Sequence, residues 1–282
     1  MLSLVALEPV DYFVIGHAAR DLTADGPRLG GTAAFAALTA RALGLRVGAV
    51  TSVGDDISLA ALDGIPVISI PSEHSTTFQN ISAAGGREQI LHQRATPIDF
   101  AHVPEIWRHA SIVHLAPIAN EVEPVLPKGF SPELLGLTPQ GWLRGWDESG
   151  GVHPVRWEDL SALEAAGAVV LSLEDVGGDM EQVEQIAGHT RVLAVTEGAA
   201  GSVLYWHGDR RRFPAPRMDE VDANGAGDIY AAAFFVRLFT TRDPWESARF
   251  ATLLASYSVT RVGLDGIPTT QEIESCMVEV LS

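Results

Sequence analysis

Tyr12-Phe13-Val14-Ile15-Gly16 opens the ordered pattern of the chain. It is followed, after a polar interval, by Gly30-Gly31-Thr32 and an alanine-rich apolar run to Leu43, and then by Val47 to Val53. The first run is short, uninterrupted and apolar, as a strand buried on both faces requires. The glycine pair starts a helix and Gly44 stops it. Strand, helix and strand in this order make a βαβ unit. That unit predicts an α/β fold with a central, mostly parallel sheet flanked by helices.

The later segments extend the same reading. Further strands are expected at Ser111 to Leu115, near Leu134 to Leu137, at Ala168 to Leu171 and at Val192 to Thr196. Ser202 to Trp206 and Arg210 to Pro214 read as an antiparallel pair turning at Gly208-Asp209. Helices are expected over Gly225 to Phe239, Trp245 to Val262 and Thr270 to Leu281. Pro124 to Pro132 and Gly145 to Pro154 read as loops. The segment from Ser75 to Thr96 breaks the βαβ rhythm. Thr76 to Ile81 and Arg87 to Leu91 alternate partly between polar and apolar residues around Ala84-Gly85-Gly86, which predicts a projecting β-hairpin. One domain spanning 1–282 is expected, with a small β lid from about 75–96 and a short piece near 17–30.

Composition excludes several classes. The chain has 282 residues, is 46% hydrophobic and carries a formal net charge of −17. Nucleic acid and anionic membrane both call for a positive footprint, so neither is an expected partner. The single cysteine, Cys276, forms no internal disulfide and no Cys-rich zinc site. Met1 to Val10 lacks the basic start and apolar stretch of a signal peptide, and a cytoplasmic location is expected. Lys128 is the lone lysine, so a P-loop lysine site is absent. The histidines show no metal-binding helix spacing and no Gly-x-Ser-x-Gly elbow occurs.

Chemistry concentrates in two places. Asp222-Ala223-Asn224-Gly225-Ala226-Gly227-Asp228 precedes the apolar run Ile229 to Leu238. Glycines at a helix mouth let backbone N–H groups converge, and the helix dipole adds positive potential there. The result is an anion site suited to a phosphoryl group. Asp228, in the first turn, is placed to take a proton from a hydroxyl in line with that group. Taken alone, Gly-x-Gly-Asp serves equally as a turn whose Asp stabilises the dipole. The second place is Gly30-Gly31-Thr32 with Asp21 nine residues before Gly30, read as lying in the loop after the first strand, where α/β proteins bind ligands. Singly, these residues read as helix packing and a solvated loop charge. A Rossmann-type dinucleotide site ranks lower, because Gly16-His17-Ala18-Ala19-Arg20 is not G-x-G-x-x-G.

Gly30-Gly31, Val53-Gly54-Asp55-Asp56 and Asp222 to Asp228 together resemble, in order and separation, the two signatures of the ribokinase-like (PfkB) kinase family. The resemblance extends over nearly the whole chain. It implies ATP-dependent phosphorylation of a hydroxyl on a small sugar, nucleoside or cyclitol, with ATP and Mg2+ as cofactors. It implies Asp228 as base, with Gly225, Ala226 and Gly227 amides on the transferring group. It implies Asp21, Gly30, Gly31, Thr32 and Phe35 on the substrate side, with Gln140 and Arg144 of Pro139-Gln140-Gly141-Trp142-Leu143-Arg144 as further candidates against a surface turn. Thr196, Gly198, Gly201, Asn224 and Gly263 fall on the nucleotide side, and Asp175 on the metal. Gly16-His17 with the Pro-Gln-Gly-Trp segment is similar to a branch that includes plant inositol kinases.

Three departures stand out. Phe35 occupies a position where the family often has Asn for sugar binding. Ser172-Leu173-Glu174-Asp175 replaces Asn-x-x-Glu, and the helix after Asp56 is short. They leave open a non-catalytic nucleotide- or metabolite-binding protein on the same fold, and either a monomer or a homodimer.

Overall fold

The computed structural model describes residues 7–83, 86–158 and 160–277. In chain order its strands and helices are β1 (Tyr12–Ile15), β2 (Ala19–Thr23), β3 (Gly26–Gly30), α1 (Thr32–Ala42), β4 (Val47–Val53), β5 (Val67–Pro71), β6 (Thr76–Ala83) and β7 (Gly86–Gln93). There follow β8 (Ile112–Leu115), β9 (Leu134–Leu137), β10 (Arg144–Trp146), β11 (Val152–Pro154), α2 (Ser161–Ala165), β12 (Ala168–Ser172), α3 (Met180–His189) and β13 (Val192–Thr196). The chain closes with β14 (Ser202–Trp206), β15 (Asp209–Phe213), α4 (Ala226–Thr241), α5 (Pro244–Ser258) and α6 (Thr270–Met277).

Nine strands form one sheet in the order β15-β14-β13-β12-β9-β8-β1-β4-β5. Seven neighbours from β13 to β5 run parallel, and β14 and β15 return antiparallel. The central strands are apolar on both faces because both faces are covered: Tyr12 to Ile15 and Leu134 to Leu137 are buried throughout. One face packs α1, α4, α5 and α6 around Phe234, Phe235 and Phe250. The other packs α2, α3 and the long connections around Trp107, Trp142 and Trp157.

The chain builds outward from β1 to β4 and β5, then jumps back to β8 on the other side of β1. Strand order therefore reverses between β1 and β8. A crevice opens beyond the carboxyl ends of strands at such a point. Over that edge lies a second sheet of order β3-β2-β6-β7. Its β7 edge is continued by the β10–β11 ribbon, through Leu91 N–H donating to Gly150 O at 2.8 Å and an Ile90–Gly151 bridge.

Several expectations need correcting. Asp21 lies on β2 rather than in a loop, and residues 19–30 form a β-ribbon. Gly145 to Pro154 is not all loop, since β10 and β11 pair there. The helix expected to reach Val262 ends at Ser258, where the chain tightens into a turn before Gly263. The segment after Asp56 is short as expected, holding one 3-10 turn, Ala60–Leu62. Ala84 and Gly85 of the hairpin, and the expected end of the last helix past Met277, lie outside the described residues.

A polar thread crosses the core beneath the crevice. Tyr12 O–H bonds His114 Nδ1 at 2.7 Å, and His114 Nε2 bonds Thr138 Oγ1 at 2.9 Å. Phe235 packs edge-on to the same imidazole. Burial pushes the His114 pKa down from 6.5 to about 3, because a charge there has no water to solvate it. A depressed histidine contributes stability that is whole above pH 6.5 and lost as pH falls toward 3. The stability advantage of the wild type over His114→Gln, measured by urea unfolding, is expected to shrink by about 1.4 kcal/mol per pH unit below pH 6. An advantage independent of pH between 7 and 5 contradicts a buried neutral imidazole.

Candidate active site

Two long-range hydrogen bonds assemble the crevice. Thr32, first residue of α1, donates its hydroxyl to Asp228 Oδ1 at 2.6 Å. Asn224 donates its amide to Asp21 Oδ2 at 2.8 Å. Both sequence motifs thus meet although about 200 residues separate them. The Asp21 carboxylate fills the space beside Gly30, where a Cβ would lie 2.1 Å from Oδ2. Any side chain at Gly30 would expel it.

Gly225 caps α4 in the left-handed conformation, φ 80°. A Cβ there would lie 2.3 Å from the Phe35 ring. Both facts demand glycine. They also correct the placement of Phe35. Its ring is 1% exposed and supports the Gly225 turn from beneath, so it does not line the open cleft. An Asn at that position would bring an amide into an apolar seat, which explains the departure noted from sequence. Of the three amides expected to face an anion, Ala226 N–H already donates to Ala223 O at 3.2 Å. Gly225 and Gly227 carry the remaining capacity, and the space beyond Gly227 is open.

Asp228 is half-buried in this cleft. Burial pushes its pKa up from 3.8 to about 6. The Thr32 hydroxyl and the Arg144 guanidinium pull it down, and the Asp21 and Asp175 charges push it up. A carboxyl group poised near 6 is deprotonated at neutral pH yet basic enough to accept a proton.

Arg144 enters from β10 and is anchored on several sides. Its guanidinium lies over the Phe78 ring of β6 at 5.6 Å, donates to Ile118 O at 3.4 Å, and stands 4.0 Å from Asp175 Oδ1. Gln140 Nε2 donates to the same Oδ1 at 3.3 Å, and Ser172 N–H donates to Asp175 Oδ2 at 2.9 Å. Gln140 to Arg144 is therefore not a surface turn. Leu143 is fully buried, and Trp142 Nε1 donates to Val122 O at 2.7 Å. The Ser172 hydroxyl accepts from Glu174 N–H, closing a local turn that aims Asp175 inward.

Of the residues expected on the nucleotide side, Asn224 instead donates to Asp21 on the acceptor side, while the others lie further along the same edge. Thr196 ends β13 beside Ser172 of β12. Gly198 and Gly263 face open space, whereas Gly201 packs against the chain leaving β15. Gly263 is tied to the Asp222 to Asp228 loop, since its N–H donates to Asp222 Oδ2 at 3.0 Å while Asn224 N–H donates to Asp222 Oδ1 at 2.9 Å.

Sequence reasoning missed one group altogether. Glu121, 2% exposed, gathers the backbone N–H groups of His17, Ile118 and Ala119 at the floor of the crevice. Its only sequence signal is an acid in the stretch Ala116 to Val122, which is apolar but for Asn120 beside it.

A family model described as pfkB family carbohydrate kinase matches residues 162–270. Fructokinase of Escherichia coli is 26% identical, over 93% of this chain and 98% of its own. Among solved structures, a pyrophosphate-dependent kinase in the ribokinase family, complexed with a pyrophosphate analog and myo-inositol, superposes with TM-score 0.77 at 19% identity, covering 94% of this chain and 100% of that one. Ribokinase from Giardia lamblia gives 0.72 at 20% identity, covering 96% and 99%. The large, mostly parallel sheet flanked by helices is the architecture these structures share with the chain. By motif, fold and full-length similarity, the chain resembles the ribokinase-like kinases, and its residues 162–270 match the pfkB family model.

Proposed function

We propose that the crevice transfers a phosphoryl group from ATP to a hydroxyl of a small sugar, nucleoside or cyclitol, with Asp228 as the base. The observation that carries this reading is the Asp228 carboxylate, bonded to Thr32, raised to about 6 and set at the mouth of α4 beside the open Gly227. In-line transfer needs little else from the protein than positioning and charge stabilisation.

Each group then has a task. Asp21, fixed by Asn224, accepts hydroxyls of the acceptor and orients it. The acceptor hydroxyl aimed at the phosphorus gives its proton to Asp228. The Gly225 and Gly227 amides take the developing charge on the phosphoryl oxygens, an effect typically worth about 3–4 kcal/mol per donor. Thr196, Gly198 and Gly263 lie where the donor's nucleoside end would rest. The β3-β2-β6-β7 sheet serves as a lid that excludes water.

Magnesium suits the residues present. No group of three or more His, Cys, Asp or Glu is arranged to hold a metal among the described residues. A magnesium ion carried by the donor phosphates needs only one or two protein oxygens. Asp175 would supply one, and the ion would neutralise phosphate charge.

A panel of sugars, nucleosides and inositols, each with magnesium–ATP and with magnesium–pyrophosphate, identifies the acceptor and the donor together. With the identified pair, Asp228→Asn is expected to lower kcat by at least about 10^3-fold while ATP still binds. Unchanged turnover would remove Asp228 from the chemistry. Because a raised Asp pKa makes folding take up a proton, stability falls as pH rises from 4 to 6. Asp228→Asn is therefore expected to be as stable as the wild type or more so at pH 7.5, as seen by thermal unfolding.

The pH profile of kcat/KM is expected to rise through an apparent pKa near 6 and then level off, since only the carboxylate accepts a proton. Asp175→Asn removes a repulsive charge and moves that limb to lower pH. Arg144→Gln removes an attractive one and moves it to higher pH. Limbs that stay fixed in both variants contradict the electrostatic coupling of these three groups.

A further inference from the structure

Glu121 and His17 have no place in the transfer chemistry, yet both are buried where the two sheets join. The Glu121 side chain accepts from His17 N–H at 2.8 Å, from Ile118 N–H at 3.0 Å and from Ala119 N–H at 2.7 Å. It locks the connection leaving β1 to the loop leaving β8. His17, 0% exposed, passes the link onward. A carbonyl only accepts, so His17 Nε2 carries the hydrogen shared with Thr96 O at 3.0 Å. Nδ1 then takes the hydrogen of the Thr76 hydroxyl at 2.6 Å, and Thr76 Oγ1 accepts from Ala95 N–H at 3.0 Å. Thr76 begins β6, and Ala95 and Thr96 follow β7. One connected network thus runs from the loops of the main sheet to both ends of the β6–β7 hairpin.

The same loop touches the acceptor side directly. Ile118, fixed by Glu121, packs with Phe78, Leu91 and Ala19 of the second sheet. Its carbonyl receives Arg144, whose guanidinium rests on Phe78. Among the described residues, none of these hydrogen bonds involves Thr196, Gly198 or Gly263, on the donor side.

We propose that Glu121, acting through His17 and Thr76, is a positioning residue that seats the second sheet over the acceptor and leaves the donor site untouched. The proposal rests on the kinase reading. Its signature is a split between the two substrates. Loosening the seat displaces Phe78, Arg144 and Asp21 relative to Asp228, and small displacements of that kind cost on the order of 10–100-fold in rate. It also admits water to the phosphoryl group.

The test uses Thr76→Val, which keeps the shape of the side chain and leaves the Glu121 bonds in place, together with Glu121→Gln. Each variant is assayed for acceptor KM, donor KM and donor hydrolysis without acceptor. The expected result is an acceptor KM raised about tenfold or more, faster acceptor-independent hydrolysis and an unchanged donor KM. Equal changes in both KM values, or wild-type values for all three in folded Thr76→Val, overturn the proposal. If Glu121→Gln does not fold, Thr76→Val decides. Hydrogen exchange at the Thr77 to Asn80 amides provides a readout that needs no turnover. Faster exchange in Thr76→Val supports the tether, and equal exchange overturns it. A wild-type protein inactive on every acceptor would count against the kinase reading alone.

Discussion

Two hydrogen bonds, Thr32 to Asp228 and Asn224 to Asp21, hold the crevice together. Each joins the mouth of α4 to the segment around the mouth of α1, and each has a carboxylate as acceptor. A half-buried carboxylate is costly unless it is hydrogen-bonded. The fold meets that cost by bringing two helix N-termini face to face, so that a hydroxyl and an amide are available at the right distance. The Phe35 ring beneath Gly225 fixes the spacing between the helices. Packing and polar complementarity thus settle the same geometry from opposite sides.

That geometry concentrates negative charge. Asp21, Asp175 and Asp228 act on one another across the cleft, and Arg144 offsets part of their repulsion. Such an arrangement is poor for stability and useful for reactivity, because it leaves one carboxyl group with a pKa close to neutrality. The core below compensates with apolar strands closed on both faces and with a neutral His114 held by Tyr12 and Thr138.

The sequence reveals the parts of this design that rest on local physics. Continuous apolar runs mark the central strands, and the glycines of Asp222 to Asp228 mark the helix mouth, because each property belongs to a few adjacent residues. The β2–β3 ribbon is hidden, since Arg20-Asp21 and Pro27-Arg28 look like loop until β6 pairs beside them. The β10–β11 ribbon is hidden in the same way by Gly145, Gly150 and Gly151. Phe35 is misleading alone, because its partner Gly225 lies far along the chain. Glu121 is nearly invisible, since it binds backbone N–H groups that every residue but proline carries. The mostly parallel sheet and the resemblance to the kinase family were legible. The way the second sheet is fastened to the first was not.

The account stands on an acceptor hydroxyl meeting Asp228 at the mouth of α4. A crystal structure with the identified acceptor and a non-hydrolysable donor measures this directly. The account predicts one acceptor oxygen about 2.6–3.2 Å from an Asp228 oxygen, with the transferable phosphate against the Gly225 and Gly227 amides. An acceptor bound elsewhere, or seated with Asp228 turned away from all of its hydroxyls, would contradict it.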